Sequence, residues 1–196
     1  MLKTITDNEK TKVVYDDEKK VYIKTFYKNK RLRMRLREYL RLKEYPGINF
    51  KKIYDLLSEV PKVRCPKITF YDKYCVITKE IQGKTLGERL QEEKDRNKIK
   101  KYMNEYVEIV SNIIKEIMKR NIYYNDFHFG NFIVDENDKI YVIDLEGYTK
   151  DAFFFIHKKG MLKGVKRTVL LICQGLKLEE KGIIGEDIWK EIESRI

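Results

Sequence analysis

Asp126, Asn131 and Asp144 are the residues of this 196-residue chain whose types and spacing could do chemistry together. Asp126 lies in the loop Asn125-Asp126-Phe127-His128-Phe129-Gly130-Asn131, directly after the apolar Ile122-Tyr123-Tyr124. Asp144 ends a second apolar run, Tyr141-Val142-Ile143. Moving a phosphoryl group from a nucleotide to a hydroxyl asks for such parts. One carboxylate accepts or orients the hydroxyl, hard oxygens hold Mg²⁺ against the phosphates, and a cation with its own fixing partner anchors them. Asp126 suits the first role. Asn131 and Asp144 suit the magnesium, which takes few protein ligands and wants oxygen.

The anchoring cation is expected upstream. Lys24 sits in the apolar stretch Val21-Tyr22-Ile23-Lys24-Thr25-Phe26. Glu38 is its natural partner, because Met34 and Leu42 flank it one helical turn to either side and an acid among apolar neighbours needs a cation. Glu44 is the weaker alternative. Taken singly, a loop Asp or Asn is usually a turn former and a strand Lys an edge guard. Five matching parts in a workable order outweigh those readings. His128 admits two roles, lining the phosphate site or bracing the loop backbone, and both stay open here. His157 is the only other histidine, so a histidine-based metal centre is not expected.

The elements that must position these residues are legible from periodicity. Lys12 to Tyr15 and Val21 to Phe26 alternate as strands about the polar turn Asp16 to Lys20. A helix is predicted over 31–45, ended by Pro46-Gly47, with Leu32, Leu36 and Leu40 on one stripe. A short helix is expected around Ile53 to Leu57. Ile68 to Tyr71 and Tyr74 to Thr78 form a hairpin over Asp72-Lys73. Ile81-Gln82-Gly83 connects to a helix over Thr85 to Glu93, and residues 98–119 make the longest helix. Strands Asn131 to Val134 and Ile140 to Ile143 enclose the turn Asp135 to Asp138. Helices over 161–175 and 186–195 follow. The expected fold class is α+β.

Composition narrows the partners. Hydrophobic residues are 42% of the chain and prolines only three, which excludes a disordered chain. No apolar run reaches the length of a spanning helix, and no apolar stretch follows a basic start as in a secretory signal. Cys65, Cys75 and Cys173 lack metal-ligand spacing and read as reduced, intracellular thiols. The net charge of +11 is concentrated. Residues 28–43 carry eight basic side chains against Glu38, and residues 158–167 carry five and no acid. Such clusters are either solvated helix faces or a surface for something polyanionic: a phosphorylated glycolipid, anionic lipid or RNA. No aromatic-rich RNA-binding motif accompanies the charge, so nucleic acid ranks low.

Asp126-Phe127-His128-Phe129-Gly130-Asn131-Phe132-Ile133 followed by Val142-Ile143-Asp144-Leu145 resembles the D-x-H-x-G-N … I-D pattern of bacterial sugar and small-molecule kinases. The chain is most similar to the lipopolysaccharide core heptose(II) kinase family, over Lys119 to about Lys166. Glu38 to Leu42 and Thr78 to Gly83 resemble the helix-C and hinge segments of the wider group. The resemblance implies a protein-kinase-like fold, with an N-lobe over 1–81 and a truncated C-lobe over 82–196. It implies ATP and Mg²⁺ as cofactors and a heptose hydroxyl of the lipopolysaccharide inner core as acceptor. It also implies a cytoplasmic enzyme, peripheral to the inner membrane and acting as a monomer. By position, Asp126 would be the base with His128 beside it, Asn131 and Asp144 the metal ligands, and Lys24 with Glu38 the phosphate anchor. Backbone groups at Glu80, Ile81 and Gln82 would receive the adenine.

The chain departs from the wider kinase pattern in three places. No Gly-rich loop precedes Lys24, Tyr124-Asn125 stands where His-Arg is usual, and Leu145-Glu146-Gly147 follows the metal Asp in place of Phe-Gly. Without the Arg, no switch by activation-loop phosphorylation is expected. A minimal protein kinase lacking an activation segment and a pseudokinase scaffold are the rival readings.

Overall fold

The computed structural model describes residues 1–27 and 44–196. The basic cluster 28–43, Glu38 and residues 31–43 of the predicted helix therefore lie outside the described residues, and 44–45, the last two of that prediction, are not helical. Those residues form five α-helices and ten strands in two compact units, and the α+β class is as expected. The first unit comprises Met1–Leu56 and Pro66–Ile81, the second Leu57–Cys65 and Gln82–Ile196.

The first unit is built on an antiparallel sheet of β1 (Leu2–Asp7), β2 (Thr11–Asp16), β3 (Val21–Phe26), β4 (Ile68–Tyr71) and β5 (Cys75–Lys79). The order is β1-β2-β3-β5-β4. Val21, Phe26 and Val76 are its buried apolar strand residues, with Thr11 and Asp16 buried at the two ends of β2. Asp16 holds the β2–β3 turn by accepting from the amides of Glu18 and Lys19. The edge strand β1 has no counterpart in the sequence expectations. Every residue of it is exposed, so no face alternates.

Pro46-Gly47 opens a helix rather than ending one: α1 runs Pro46–Ser58. Proline fits the first helical position, where its missing N–H would have had no partner. Phe50, Ile53 and Leu57 form the buried stripe. Gly47 is required by a close approach, since a Cβ there would meet the Asp72 carbonyl at 2.2 Å. The Gly47 amide also donates to the Lys73 carbonyl, tying the helix start to the β4–β5 turn.

In the second unit, β6 (Gly83–Thr85), β8 (Phe132–Asp135) and β9 (Ile140–Val142) form one small sheet, and β7 (Ile122–Tyr123) with β10 (Thr149–Lys150) another. Helix α2 (Leu86–Glu92) starts on a capping box, Thr85 with Glu88. Its C-terminal end is held by Lys181, whose Nζ donates to the carbonyls of Leu90, Gln91 and Glu93 at 2.6–2.9 Å. Helix α3 (Arg96–Lys119) is the central element. Asp95 caps its start, and its apolar face from Ile99 to Ile117 is fully buried. Helix α4 (Phe154–Gly175) begins seven residues before the expected start and α5 (Gly185–Arg195) closes the unit. The segment Leu57–Cys65 belongs here: the Val142 amide donates to the Arg64 carbonyl, and the Arg64 guanidinium pairs with Glu105 of α3 at 3.0 Å. No helix among the described residues is long and apolar enough to cross a membrane.

Candidate functional site

The loop 125–131 has almost no regular structure, so its backbone must find partners elsewhere. Four side chains supply them at three successive carbonyls. Thr168 Oγ1 of α4 donates to the Asn125 carbonyl at 3.3 Å. The Asp126 carbonyl accepts twice, from Tyr124 Oη at 2.7 Å and Asn131 Nδ2 at 2.9 Å. The Phe127 carbonyl accepts from Tyr106 Oη of α3 at 2.7 Å. A short 3₁₀ turn, Phe129–Asn131, then closes on the His128 carbonyl through the Asn131 amide. The loop is thereby set from below by buried groups while the Asp126 carboxylate stays exposed.

The strand pairing brings the two expected metal ligands together. Phe132 pairs with Val142, and the Ile143 amide donates to the Asn131 carbonyl at 3.0 Å. Asn131 and Asp144 therefore leave adjacent strands at the same end. Asn131 is buried, and its amide nitrogen is committed to the Asp126 carbonyl and Tyr124 Oη, which leaves Oδ1 as its ligand atom. Asp144 is half-buried and accepts from the Glu146 amide at 3.4 Å. One amide oxygen and one carboxylate are hard donors of the kind magnesium takes in small number from proteins. Among the described residues no group of three or more His, Cys, Asp or Glu could hold a metal by itself. The donor set thus fits magnesium brought in with a nucleotide.

His128 braces the loop. Its Nδ1 accepts from the Gly130 amide at 3.0 Å, which puts the proton of the neutral ring on Nε2, 3.9 Å from Asp126 Oδ1. Gly130 lies so close beneath the imidazole that a Cβ would meet the ring at 2.8 Å.

In the first unit, Lys24 is half-buried on β3, between Val13 and Val76 of the neighbouring strands, with its Nζ 5.8 Å from the centre of the Phe26 ring. Glu44, the weaker candidate partner, pairs instead with Lys52 of α1. The Glu80 amide donates to the Lys20 carbonyl at 3.0 Å, so that one hinge amide is committed to the sheet and is not on offer to adenine. Ile81 is half-buried and Gln82, which begins the second unit's main segment, is exposed.

Tyr124 is the residue that spacing alone did not single out. Its ring stacks on Tyr148 with centroids 3.7 Å apart and planes 7° from parallel. Burial pushes its hydroxyl well above the ordinary tyrosine range, and the Asp144 and Asp126 carboxylates push it further. It therefore stays protonated and keeps donating to the loop. Its position two residues before Asp126, where the wider kinase pattern has histidine, was the available signal.

Tyr106 and Tyr148 are likewise raised, chiefly by burial. The sign of the pH effect follows. Unfolded tyrosine titrates near 10, so above that pH the unfolded chain releases protons that the folded one retains. The stabilisation is complete below about pH 10 and falls as pH rises toward the folded values, by about 1.4 kcal/mol per pH unit for each tyrosine. Thermal melts from about pH 9 to pH 11 are expected to drop steeply, and Tyr148→Phe to flatten the drop.

A sequence model for the ABC1 atypical kinase-like domain matches residues 18–155. No curated protein matches the chain. The matched span covers well over half of the 196 residues and contains Lys24, the loop 125–131 and Asp144, the parts assigned above on chemical grounds. A match over that share of the chain shows that it belongs to the ABC1 atypical kinase-like domain family.

Proposed function

We propose that the chain is a small phosphotransferase that moves the γ-phosphoryl group of a magnesium-bound nucleoside triphosphate to a hydroxyl of a small, sugar-like acceptor. The observation that carries this reading is the loop 125–131: three carbonyls tied down by buried and half-buried side chains, with one exposed carboxylate left over. Asp126 orients the acceptor hydroxyl and takes its proton as the oxygen attacks the γ-phosphorus and the bond to the departing nucleoside diphosphate breaks. Asn131 Oδ1 and the Asp144 carboxylate would hold the cation, which would supply neutralising charge at the phosphates. Tyr124 and His128 keep the loop from relaxing, so that little reorganisation is needed at the moment of reaction. Lys24 and Glu38 are assigned to the phosphates. The pattern Asp126-x-His128-x-Gly130-Asn131 supports a sugar hydroxyl, and the heptose of a lipopolysaccharide inner core is the acceptor to test first.

The test is thermal shift with ATP, with and without Mg²⁺, on the wild type and on Asp144→Asn. ATP at about a hundred times its dissociation constant should stabilise the wild type by about 2.7 kcal/mol, and only with the metal. Asp144→Asn should lose the metal-dependent part. A wild type that ATP and magnesium leave unshifted would return the chain to a non-catalytic scaffold.

A further inference from the structure

The first turns of α4 present an unusual surface. Phe153, Phe155 and Ile156 are 60%, 78% and 60% exposed. The helix buries Phe154, Met161, Val165 and Val169 on its inner side. On the outer side, Phe155 and Ile156 are followed at helical spacing by Lys159, Lys163 and Arg167, all exposed. Lys158 is exposed beside them. His157 pairs with Asp151 at 2.6 Å and Lys166 with Glu186 at 3.0 Å. Lys158, Lys159, Lys163 and Arg167 form no ion pair among the described residues. Residues 158–167 contain no acid that could neutralise them.

An apolar tip that runs into an unneutralised basic stripe fits one environment better than any other. At the boundary of an anionic bilayer, aromatic and branched side chains enter the acyl region while lysine and arginine heads stay at the lipid phosphates. A protein partner would have to match both halves of the surface at once, and RNA would leave three large apolar side chains in water. We propose that the outer face of α4, from Phe153 to Arg167, docks the protein on an anionic lipid surface.

The catalytic loop packs on another side of the same helix. The Asp151 amide donates to the Asn121 carbonyl at 2.8 Å, and β10 pairs with β7 directly before the loop. Further along α4, a Cβ at Gly164 would meet Asn125 Nδ2 at 2.5 Å, and Thr168 bonds the Asn125 carbonyl. Docking through α4 thus holds at the membrane the helix that supports the loop, with the loop on another side of it. Resting on the phosphotransfer reading above, docking keeps the enzyme beside acceptors carried in that surface.

The test is cosedimentation of the full chain with vesicles of phosphatidylcholine alone or mixed with phosphatidylglycerol. Binding is expected to the mixed vesicles only, and to weaken with salt. Lys159→Glu with Lys163→Glu should lower partitioning by at least about fivefold for each lysine. Phe153→Ser with Phe155→Ser should remove the part of the binding that survives high salt. Both pairs are exposed, so melting temperatures should hold. Equal binding to neutral vesicles, or binding untouched by both pairs, would overturn the proposal. So would self-association in the absence of lipid that the Phe pair abolishes. Asp126→Ala separates the two readings. It should still bind vesicles while losing transfer, and a wild-type chain that docks but never transfers phosphate sinks the function and keeps the docking. A chain that phosphorylates a soluble acceptor but ignores anionic vesicles does the reverse.

Discussion

Asp126→Ala is expected to cut phosphoryl transfer by about 10²–10⁴-fold, the usual worth of a positioned general base. Stability should barely change. The carboxylate is exposed, and its one near neighbour, His128 Nε2, is 3.9 Å away, beyond hydrogen-bond distance. The backbone contacts that hold the loop involve the Asp126 carbonyl, which alanine retains. Nucleotide binding should survive too, because the metal ligands are on other residues. Turnover of ATP in the presence of acceptor, measured beside a thermal shift with Mg-ATP, checks both halves. Transfer that persists within a few-fold of wild type would remove Asp126 from the role of base and leave the exposed carboxylate unexplained.

Tyr106→Ala is expected to be the most destabilising single change at the site, at about 3–5 kcal/mol, the cost of emptying a large buried aromatic position. The ring is fully buried on α3 and meets Phe129 and Phe132 edge to face at 4.9 and 5.1 Å. Both of those rings belong to the segment that carries Asn131. Tyr106→Phe keeps the packing and removes only the hydroxyl. It strands the Phe127 carbonyl, which should cost about 1–3 kcal/mol. The pair of variants therefore divides the role of Tyr106 into volume and hydrogen bond. Urea unfolding followed by the fluorescence of Trp189, the only tryptophan and a buried one, reads the second unit directly. A Tyr106→Ala midpoint close to the wild-type value would mean that the loop is held by something other than this helix.

The placement of Asp126, Asn131 and Asp144 was open to reading because it is set locally. Asp126 and Asn131 sit in one loop, and the alternation of Phe132 to Val134 with Ile140 to Val142 announces the hairpin that returns Asp144 to them. Helix α3 was open for the same reason, its apolar residues recurring at helical spacing over about five turns, from Ile99 to Ile117. What stayed hidden depends on distant partners. Pro46-Gly47 reads as a stop in isolation, and only the Asp72 carbonyl at its back shows why a glycine must begin a helix there. The first turn of α4 shows a core residue only at Phe154, so periodicity finds no helix until Met161. Tyr124 and Tyr106 look like ordinary apolar residues until their hydroxyls are seen to end on carbonyls of the loop. The commitment of the Glu80 amide was not visible either, because its acceptor, the Lys20 carbonyl, lies sixty residues earlier in the β2–β3 turn.

The stretch Leu57–Cys65 belongs to the second unit although it is threaded between two parts of the first. Its Arg64 carbonyl caps β9, and its Pro61 carbonyl takes the Asn112 side-chain amide. A single cleavage after Ile81 would accordingly not yield two independent halves. The C-terminal fragment would lose a partner for the strand that leads to Asp144, and the N-terminal one would carry Val60 and Val63 bare to water. Recovering the native arrangement from such fragments would require them to recombine, and a split version of this protein would report their association.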